Sequence, residues 1–172
     1  MIEIEIKVRA DHGPVLDRIL EMGALKVRTE DHLDVYYNAP HRDFAKTDEA
    51  LRLRSVNGGT RMTYKGRKLD SISKTREEFE TPVDGTAAKG ILVSLGFFES
   101  GIVKKTRDIY RYGDITICFD SVDGLGEFVE VETVAYSDID LHRERLFDFL
   151  KSIGIKKEDS IRTSYLEMLM EK

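Results

Sequence analysis

Charged residues recur at every second position through most of this chain, and that spacing is where its chemistry must lie. The N-terminal run Ile2-Glu3-Ile4-Glu5-Ile6-Lys7-Val8-Arg9 sets the pattern. A strand sends alternate side chains to opposite faces, so Glu3, Glu5, Lys7 and Arg9 share one side, with Ile2, Ile4, Ile6 and Val8 on the other. The pattern returns with Arg52 and Arg54 against Leu51 and Leu53, and with Arg61, Thr63 and Lys65 against Met62 and Tyr64. It returns again in Arg76, Glu78 and Glu80, in Lys105 and Arg107, and in Thr116, Cys118 and Asp120 against Ile115, Ile117 and Phe119. Glu130 and Glu132 against Val129 and Val131 complete it. Gathered together, Lys7, Arg52, Arg54, Lys65, Arg76, Lys105 and Arg107 suit a triphosphate, with guanidinium forks gripping oxygens and ammoniums acting as point charges. The acids Glu3, Glu5, Glu78, Glu80, Asp120, Glu130 and Glu132 cannot touch phosphate directly. They make sense as ligands for Mg²⁺ or Mn²⁺, hard cations that bridge carboxylate and phosphate oxygens. The matching chemistry is phosphoryl or nucleotidyl transfer, in which no side chain is obliged to act as general base.

The elements that must position these groups are mostly strands. Ala50 to Val56 and Thr60 to Lys65 read as a hairpin turning through Asn57-Gly58-Gly59. Residues 25–37 are expected to be extended, as are Val103 to Arg111, Asp114 to Asp120, and Phe128 to Glu132 after a Gly124-Leu125-Gly126 turn. Pro82 and Gly85 are expected to end the strand that begins at Arg76. Helices are expected after Asp11-His12-Gly13-Pro14, from Thr86 to Leu95, from Asp138 to Ser152, and from Glu158 to Met170, with Gly23, Gly96 and Gly154 as stops. Asn38 to Thr47 reads as a polar loop long enough to serve a function, and Gly66 to Lys74 as a mobile basic stretch able to close over an anion. The recurring helix–Gly endings, and the pairs Asp34-Val35-Tyr36 and Asp108-Ile109-Tyr110, hint at an internal duplication.

Two arrangements satisfy this alternation. One is an open sheet with a salt-bridged, solvent-washed face and its apolar side on helices. The other closes the strands into an antiparallel barrel with a charged, wet lumen and an apolar outside covered by the helices. About eight strands leave room inside for side chains and one small ligand. A dry lumen would not tolerate so much charge.

Composition narrows the field. The 172 residues fit one domain. A net charge of −5 disfavours a nucleic-acid glove. Cys118 is the single cysteine, which excludes an internal disulfide and suits a reducing cytoplasm. No apolar run approaches membrane length, and no Walker-type loop is present. His12, His32, His41 and His142 lack ligand spacing and are expected at the surface. Cys118, mid-strand without a paired His, reads as a buried or lumen-lining thiol.

In sum, these residues resemble the CYTH superfamily, the triphosphate tunnel metalloenzymes. Its amino-terminal Glu-x-Glu-x-Lys is matched by Glu3-Ile4-Glu5-Ile6-Lys7, and its Ala-Leu-Arg-x-Arg by Ala50-Leu51-Arg52-Leu53-Arg54. Its Thr-Tyr-Lys-Gly is matched by Thr63-Tyr64-Lys65-Gly66, its Arg-x-Glu-x-Glu by Arg76-Glu77-Glu78-Phe79-Glu80, and its Lys-x-Arg by Lys105-Thr106-Arg107. Its Asp followed by Leu-Gly-x-Phe-x-Glu-x-Glu is matched by Asp120 and Leu125-Gly126-Glu127-Phe128-Val129-Glu130-Val131-Glu132. The resemblance implies an α+β fold built on a closed eight-stranded antiparallel β-barrel, with helices outside. It implies a metal set of Glu3, Glu5, Asp120, Glu130 and Glu132, and a phosphate set of Lys7, Arg52, Arg54, Lys65, Arg76, Lys105 and Arg107. Glu78 and Glu80 would orient the bases, and Glu3, Glu5, Lys7 and Lys105 are expected to be catalytic. The runs Arg42 to Glu49 and Ser164 to Leu169 resemble the archaeal-type class IV adenylyl cyclase branch, which implies conversion of ATP to 3′,5′-cyclic AMP and pyrophosphate, commonly by a homodimer. Hydrolysis of tripolyphosphate, thiamine triphosphate or a nucleoside triphosphate is the alternative, and non-catalytic polyphosphate or nucleotide binding is a third.

Overall fold

The first strand, β1 (Ile2–Arg9), is apolar on one face, and that face decides where the helices go. A computed structural model describes residues 2–69 and 73–171. After β1 come α1 (His12–Glu21), β2 (Leu25–Asn38), α2 (Phe44–Thr47), β3 (Ala50–Val56), β4 (Gly59–Lys65) and β5 (Arg76–Val83). Then follow α3 (Gly85–Ser94), β6 (Phe98–Tyr112), β7 (Ile115–Val122), β8 (Gly126–Ala135), α4 (Ile139–Ser152), β9 (Ser160–Ile161) and α5 (Tyr165–Met170).

Eight strands form an antiparallel ring in the order β5-β4-β3-β2-β6-β7-β8-β1, closed by a β5–β1 pairing, and the two-residue β9 is added beside β1. Closure is narrow. Ile2 faces Glu77 and Glu3 faces Arg76, the Lys74 N–H then donates to the Glu5 carbonyl at 3.1 Å, and β9 takes over at Lys7 and Val8. One edge of β1 is thus covered in three successive pieces, which leaves little of it unpaired.

The inner face carries the charges and the outer face the aliphatics. Ile4, Ile6, Val8, Ile117, Val129 and Val131 pack outward against α1 and α4 through Ile19, Leu146, Phe149 and Leu150. A second apolar layer seats Ala88 and Leu92 of α3 on Leu51 and Leu53 of β3. The sequence leads us to expect an apolar outside covered by the helices, but that cover is incomplete. Phe79, Phe98 and Ile102 are half exposed or more.

The pairing scheme maps onto itself when β1-α1-β2-β3-β4 is superposed in order on β5-α3-β6-β7-β8. Under that exchange β2–β3 becomes β6–β7, β3–β4 becomes β7–β8, and β4–β5 becomes β8–β1, while β2–β6 and β1–β5 map onto themselves. Helices α1 and α3 both have ten residues and both end at a glycine with positive φ, Gly23 at 90° and Gly96 at 86°. The hint of duplication therefore has a counterpart in topology. The two Asp-aromatic pairs do not correspond, because Asp34 faces the lumen whereas Asp108 bonds to Thr29 and Lys26 outside it.

Three expectations about elements need correction. The segment expected as one helix from Glu158 to Met170 is broken into a 3-10 turn (Lys157–Asp159), β9 and α5. The break follows from a capping box, in which the Glu167 N–H donates to Ser164 Oγ at 3.2 Å and the Ser164 N–H to Glu167 Oε2 at 2.6 Å, starting a new helix at Tyr165. Pro82 does not end β5, which runs to Val83. Past Glu77 that strand pairs only with β4, and an edge tolerates a residue without an N–H. The loop from Asn38 to Thr47 contains α2, held by Asn38 Oδ1, which accepts from the Phe44 N–H at 2.8 Å. The Asn57-Gly58 turn is as expected, both residues having positive φ between the paired Val56 and Gly59.

Leu146 is fully buried in the layer beneath α4, whereas Leu141 on the same helix is 62% exposed. Chemical denaturation should show Leu146→Ala costing about 2–5 kcal/mol and Leu141→Ala within about 0.5 kcal/mol of the parent; similar losses would contradict this placement of the helix.

Candidate functional site

Because each inner-facing residue is fixed by its strand register, the charges fall on two walls. A cavity of about 660 Å³ runs through the ring. Twelve of the fourteen residues singled out from sequence line it: Glu3, Glu5, Arg52, Arg54, Lys65, Arg76, Glu78, Glu80, Lys105, Arg107, Glu130 and Glu132. Lys7 and Asp120, both 0% exposed, do not line it and lie behind that surface.

The wall built by β3 and β4 is basic. Arg54 forks onto Asp34 of β2, with Nε donating to Oδ1 and Nη2 to Oδ2, both at 2.7 Å. Arg52 reaches the same carboxylate only at 3.5 Å and Glu80 at 4.0 Å. Burial opposes ionisation of Asp34, but these guanidiniums hold its carboxyl well below the ordinary range. Lys65 bridges Glu3 at 3.2 Å and Glu78 at 2.7 Å. The two carboxyls divide accordingly. Burial and the hydrogen bond to Glu3 push Glu78 up to about 7, whereas Lys65, acting against burial, draws Glu3 down to about 2. Glu80 takes bonds from Arg61 at 2.7 Å and Thr63 at 2.9 Å.

The opposite wall, on β7 and β8, is acidic. Asp120 accepts Lys105 Nζ at 2.8 Å, Arg107 Nε and Nη2 at 2.6 Å each, and the Tyr165 hydroxyl at 2.9 Å. Arg107 also bonds Glu130, and Lys74 bonds Glu5 at 2.9 Å. Two members of the walls stand apart. Among the described residues neither Arg76 nor Glu132 has a salt bridge. Burial, with Glu3 and Glu5 as like charges nearby and Arg107 opposing, pushes Glu132 up to about 8. Glu5 lies directly across from Glu132 in the β1–β8 ladder, and like charges so placed repel.

That donor set is hard oxygen with surplus negative charge, which is the chemistry a divalent cation answers. Among the described residues, no group of three or more His, Cys, Asp or Glu side chains is arranged to hold a metal ion. The carboxylates fit such an ion in type and charge, provided they converge from their present contacts with Lys74 and Arg107.

Several site residues escaped the sequence reading. Asp34 sits on the inner face with Arg28, Glu30, His32 and Tyr36, an alternation present in β2 but obscured by its aromatic run. Lys74 falls in the stretch read as a mobile lid. Its side chain turns inward to Glu5, and Lys68 bonds Asp48 at 2.5 Å, while Asp70 to Ile72 lie outside the described residues. Tyr165 had no signal beyond the family-like ending. His32 is corrected outright: at 4% exposure it is buried in the lumen, with Nε2 at 2.7 Å from Glu30. Cys118 is buried and lumen-lining as expected, and burial pushes its thiol well above the ordinary value, which disfavours a nucleophile.

A family profile described as the CYTH domain matches residues 1–165. A protein of Methanocaldococcus jannaschii, provisionally named an adenylate cyclase, is 42% identical over 98% of both chains. A solved structure from Pyrococcus horikoshii is 40% identical, covers 98% of both chains and superposes with a TM-score of 0.90. A Hippeastrum protein, described as a provisional adenylyl cyclase with a dominant triphosphatase activity, shares the fold at 20% identity and a TM-score of 0.66, over 90% of this chain and 88% of its own.

Burial and the Arg54 charge lower the His32 pKa from 6.5 to about 4, with Glu30 opposing. The unfolded chain therefore takes up this proton first as pH falls. The His32 contribution to stability is intact above about pH 6.5 and lost on the way down to about pH 4. Denaturation curves across that window should show a smaller loss for His32→Gln than for the parent; equal losses would contradict the buried neutral ring.

Proposed function

This chain belongs to the CYTH family, and from that premise we propose that its lumen binds a triphosphate with a divalent cation, Mg²⁺ or Mn²⁺, and converts ATP to 3′,5′-cyclic AMP and pyrophosphate. The observation that carries the reading is the opposition of a basic and an acidic wall within one cavity of about 660 Å³. Neither wall alone is useful. A polyanion needs the first and its counter-cation the second.

The chain's own residues divide the work. Arg76, without an ion pair among the described residues, and Arg52, only loosely held by Asp34, are the guanidiniums most available to phosphate oxygens. Arg54 and Arg107 are committed to two-point contacts with Asp34 and Asp120, so they shape the wall and supply field more than contact. Lys65 leaves a shared carboxylate pair to meet phosphate, and Glu78, which burial and the hydrogen bond to Glu3 push up to about 7, can take a proton and limit the negative charge left behind. Glu3, Glu5, Glu130 and Glu132 would hold the cation, with Asp120 set further back as the anchor of Lys105 and Arg107. When bound, such an ion neutralises charge on the phosphate oxygens and favours attack at phosphorus. In cyclisation the ribose 3′-hydroxyl oxygen bonds to the α-phosphorus and gives up its proton to water, the bond to the bridging oxygen breaks, and pyrophosphate leaves with the electron pair. The basic wall is placed to take that developing charge.

Hydrolysis is the second reading. It is favoured by the lining itself, whose phosphate-facing charges serve any triphosphate. Incubation with ATP and Mg²⁺ or Mn²⁺, with products resolved chromatographically, separates the readings. Cyclic AMP and pyrophosphate are expected; ADP or AMP without the cyclic product would reject cyclisation. Glu5→Gln should lower metal-dependent turnover by about 100-fold or more while leaving the denaturation midpoint near the parent's, and unchanged turnover would remove the carboxylates from the site.

A further inference from the structure

The C-terminal segment is built into the tunnel. β9 pairs with β1 at Lys7 and Val8, and the capping box at Ser164 redirects the chain into α5. Leu166 then settles over Gly101 of β6, where Leu166 Cδ1 fills the space an added Cβ would need. This seat turns Tyr165 inward. The residue is 7% exposed, its ring meets Phe128 edge-on at 4.9 Å, and its hydroxyl is fixed by Asp120.

Three ammoniums converge on that ring. Lys7 Nζ lies 4.2 Å from its centroid, Lys105 Nζ 5.1 Å and Lys74 Nζ 5.9 Å. They come from β1, β6 and the segment before β5, so nothing local in sequence brings them together. Lys74 and Lys105 each have a carboxylate, Glu5 and Asp120. Lys7 is different. It is 0% exposed and among the described residues has no salt bridge; its ammonium donates to the Thr163 carbonyl and faces the Tyr165 ring. A buried charge needs compensation, and an aromatic face supplies it through the ring quadrupole.

We propose that Tyr165 is a positioning residue that gathers Lys74 and Lys105 of the lining, with Lys7 behind them, into one cationic group facing a phosphoryl group of the bound polyanion. The inference rests on the reading of the lumen as a triphosphate site. Ring and hydroxyl are separable: the ring face holds the ammoniums and is seated by Phe128 and by Leu166 on Gly101, and the hydroxyl adds a bond to Asp120.

The test is a calorimetric titration of the full chain with inorganic tripolyphosphate, comparing Tyr165→Phe with pentafluorophenylalanine introduced at the same position. The two rings have nearly the same shape, but fluorination removes the negative face. Tyr165→Phe should bind within about threefold of the parent, and the fluorinated ring at least about fivefold more weakly than Tyr165→Phe. A purely structural role predicts equal affinity for both, and that result overturns the proposal. Tyr165→Leu gives an independent reading with the same expected direction, and affinity equal to that of Tyr165→Phe again overturns it. A parent chain that does not bind tripolyphosphate at all would instead reject the triphosphate site itself.

Discussion

The structure depends on opposite charges meeting inside a closed ring of strands. A lone carboxylate or guanidinium in that position would be costly. Here each wall is neutralised by the strands beside it through a few contacts: Arg54 on Asp34, Arg107 on Asp120, Lys65 between Glu3 and Glu78, and Lys74 on Glu5. Two groups stand outside these pairs. Arg76 has no salt bridge among the described residues, and burial with its acidic neighbours pushes Glu132 up to about 8. A ligand that brings its own anion and cation replaces these internal pairs without leaving net charge buried, which is a physical reason for the lumen to favour a metal–polyphosphate over either ion alone.

The topology explains how one chain makes two walls of opposite sign. Superposing one half of the ring on the other places β3 and β4, which carry Arg52, Arg54 and Lys65, on β7 and β8, which carry Asp120, Glu130 and Glu132. The scaffold is repeated and the inner charges are inverted. The outer faces keep the same aliphatic character, because both halves must bury them against helices, β3 beneath α3 and β7 and β8 beneath α1 and α4. Packing thus constrains one parity of each strand and leaves the other to chemistry.

That division also explains how much was legible. Strand alternation carries its own signal, so Glu3-Ile4-Glu5-Ile6-Lys7 and its counterparts were readable as two-faced strands, and the inner face could be collected without coordinates. What alternation does not carry is closure. Whether the charged side faces solvent or a lumen rests on two residue pairs between β1 and β5, which leave no pattern in sequence. The inner face of β2 was missed because Tyr36 and Tyr37 dominate its composition. His32 was misplaced because a lone histidine has no spacing to argue from. Lys74 and Tyr165 were missed for a third reason: each is delivered to the site by a segment with no alternation, one before β5 and the other after a capping box.

The central claim is that the two walls enclose one site, and a crystal structure of the protein grown with tripolyphosphate and Mn²⁺ tests it most directly. Anomalous scattering should place manganese inside the ring against carboxylates of β1 and β8, with phosphate density reaching Arg52, Lys65 and Arg76 and the Lys65 and Lys74 ion pairs rearranged. Manganese and phosphate found only on the outer surface, with the Lys65 and Lys74 ion pairs intact, would contradict the account.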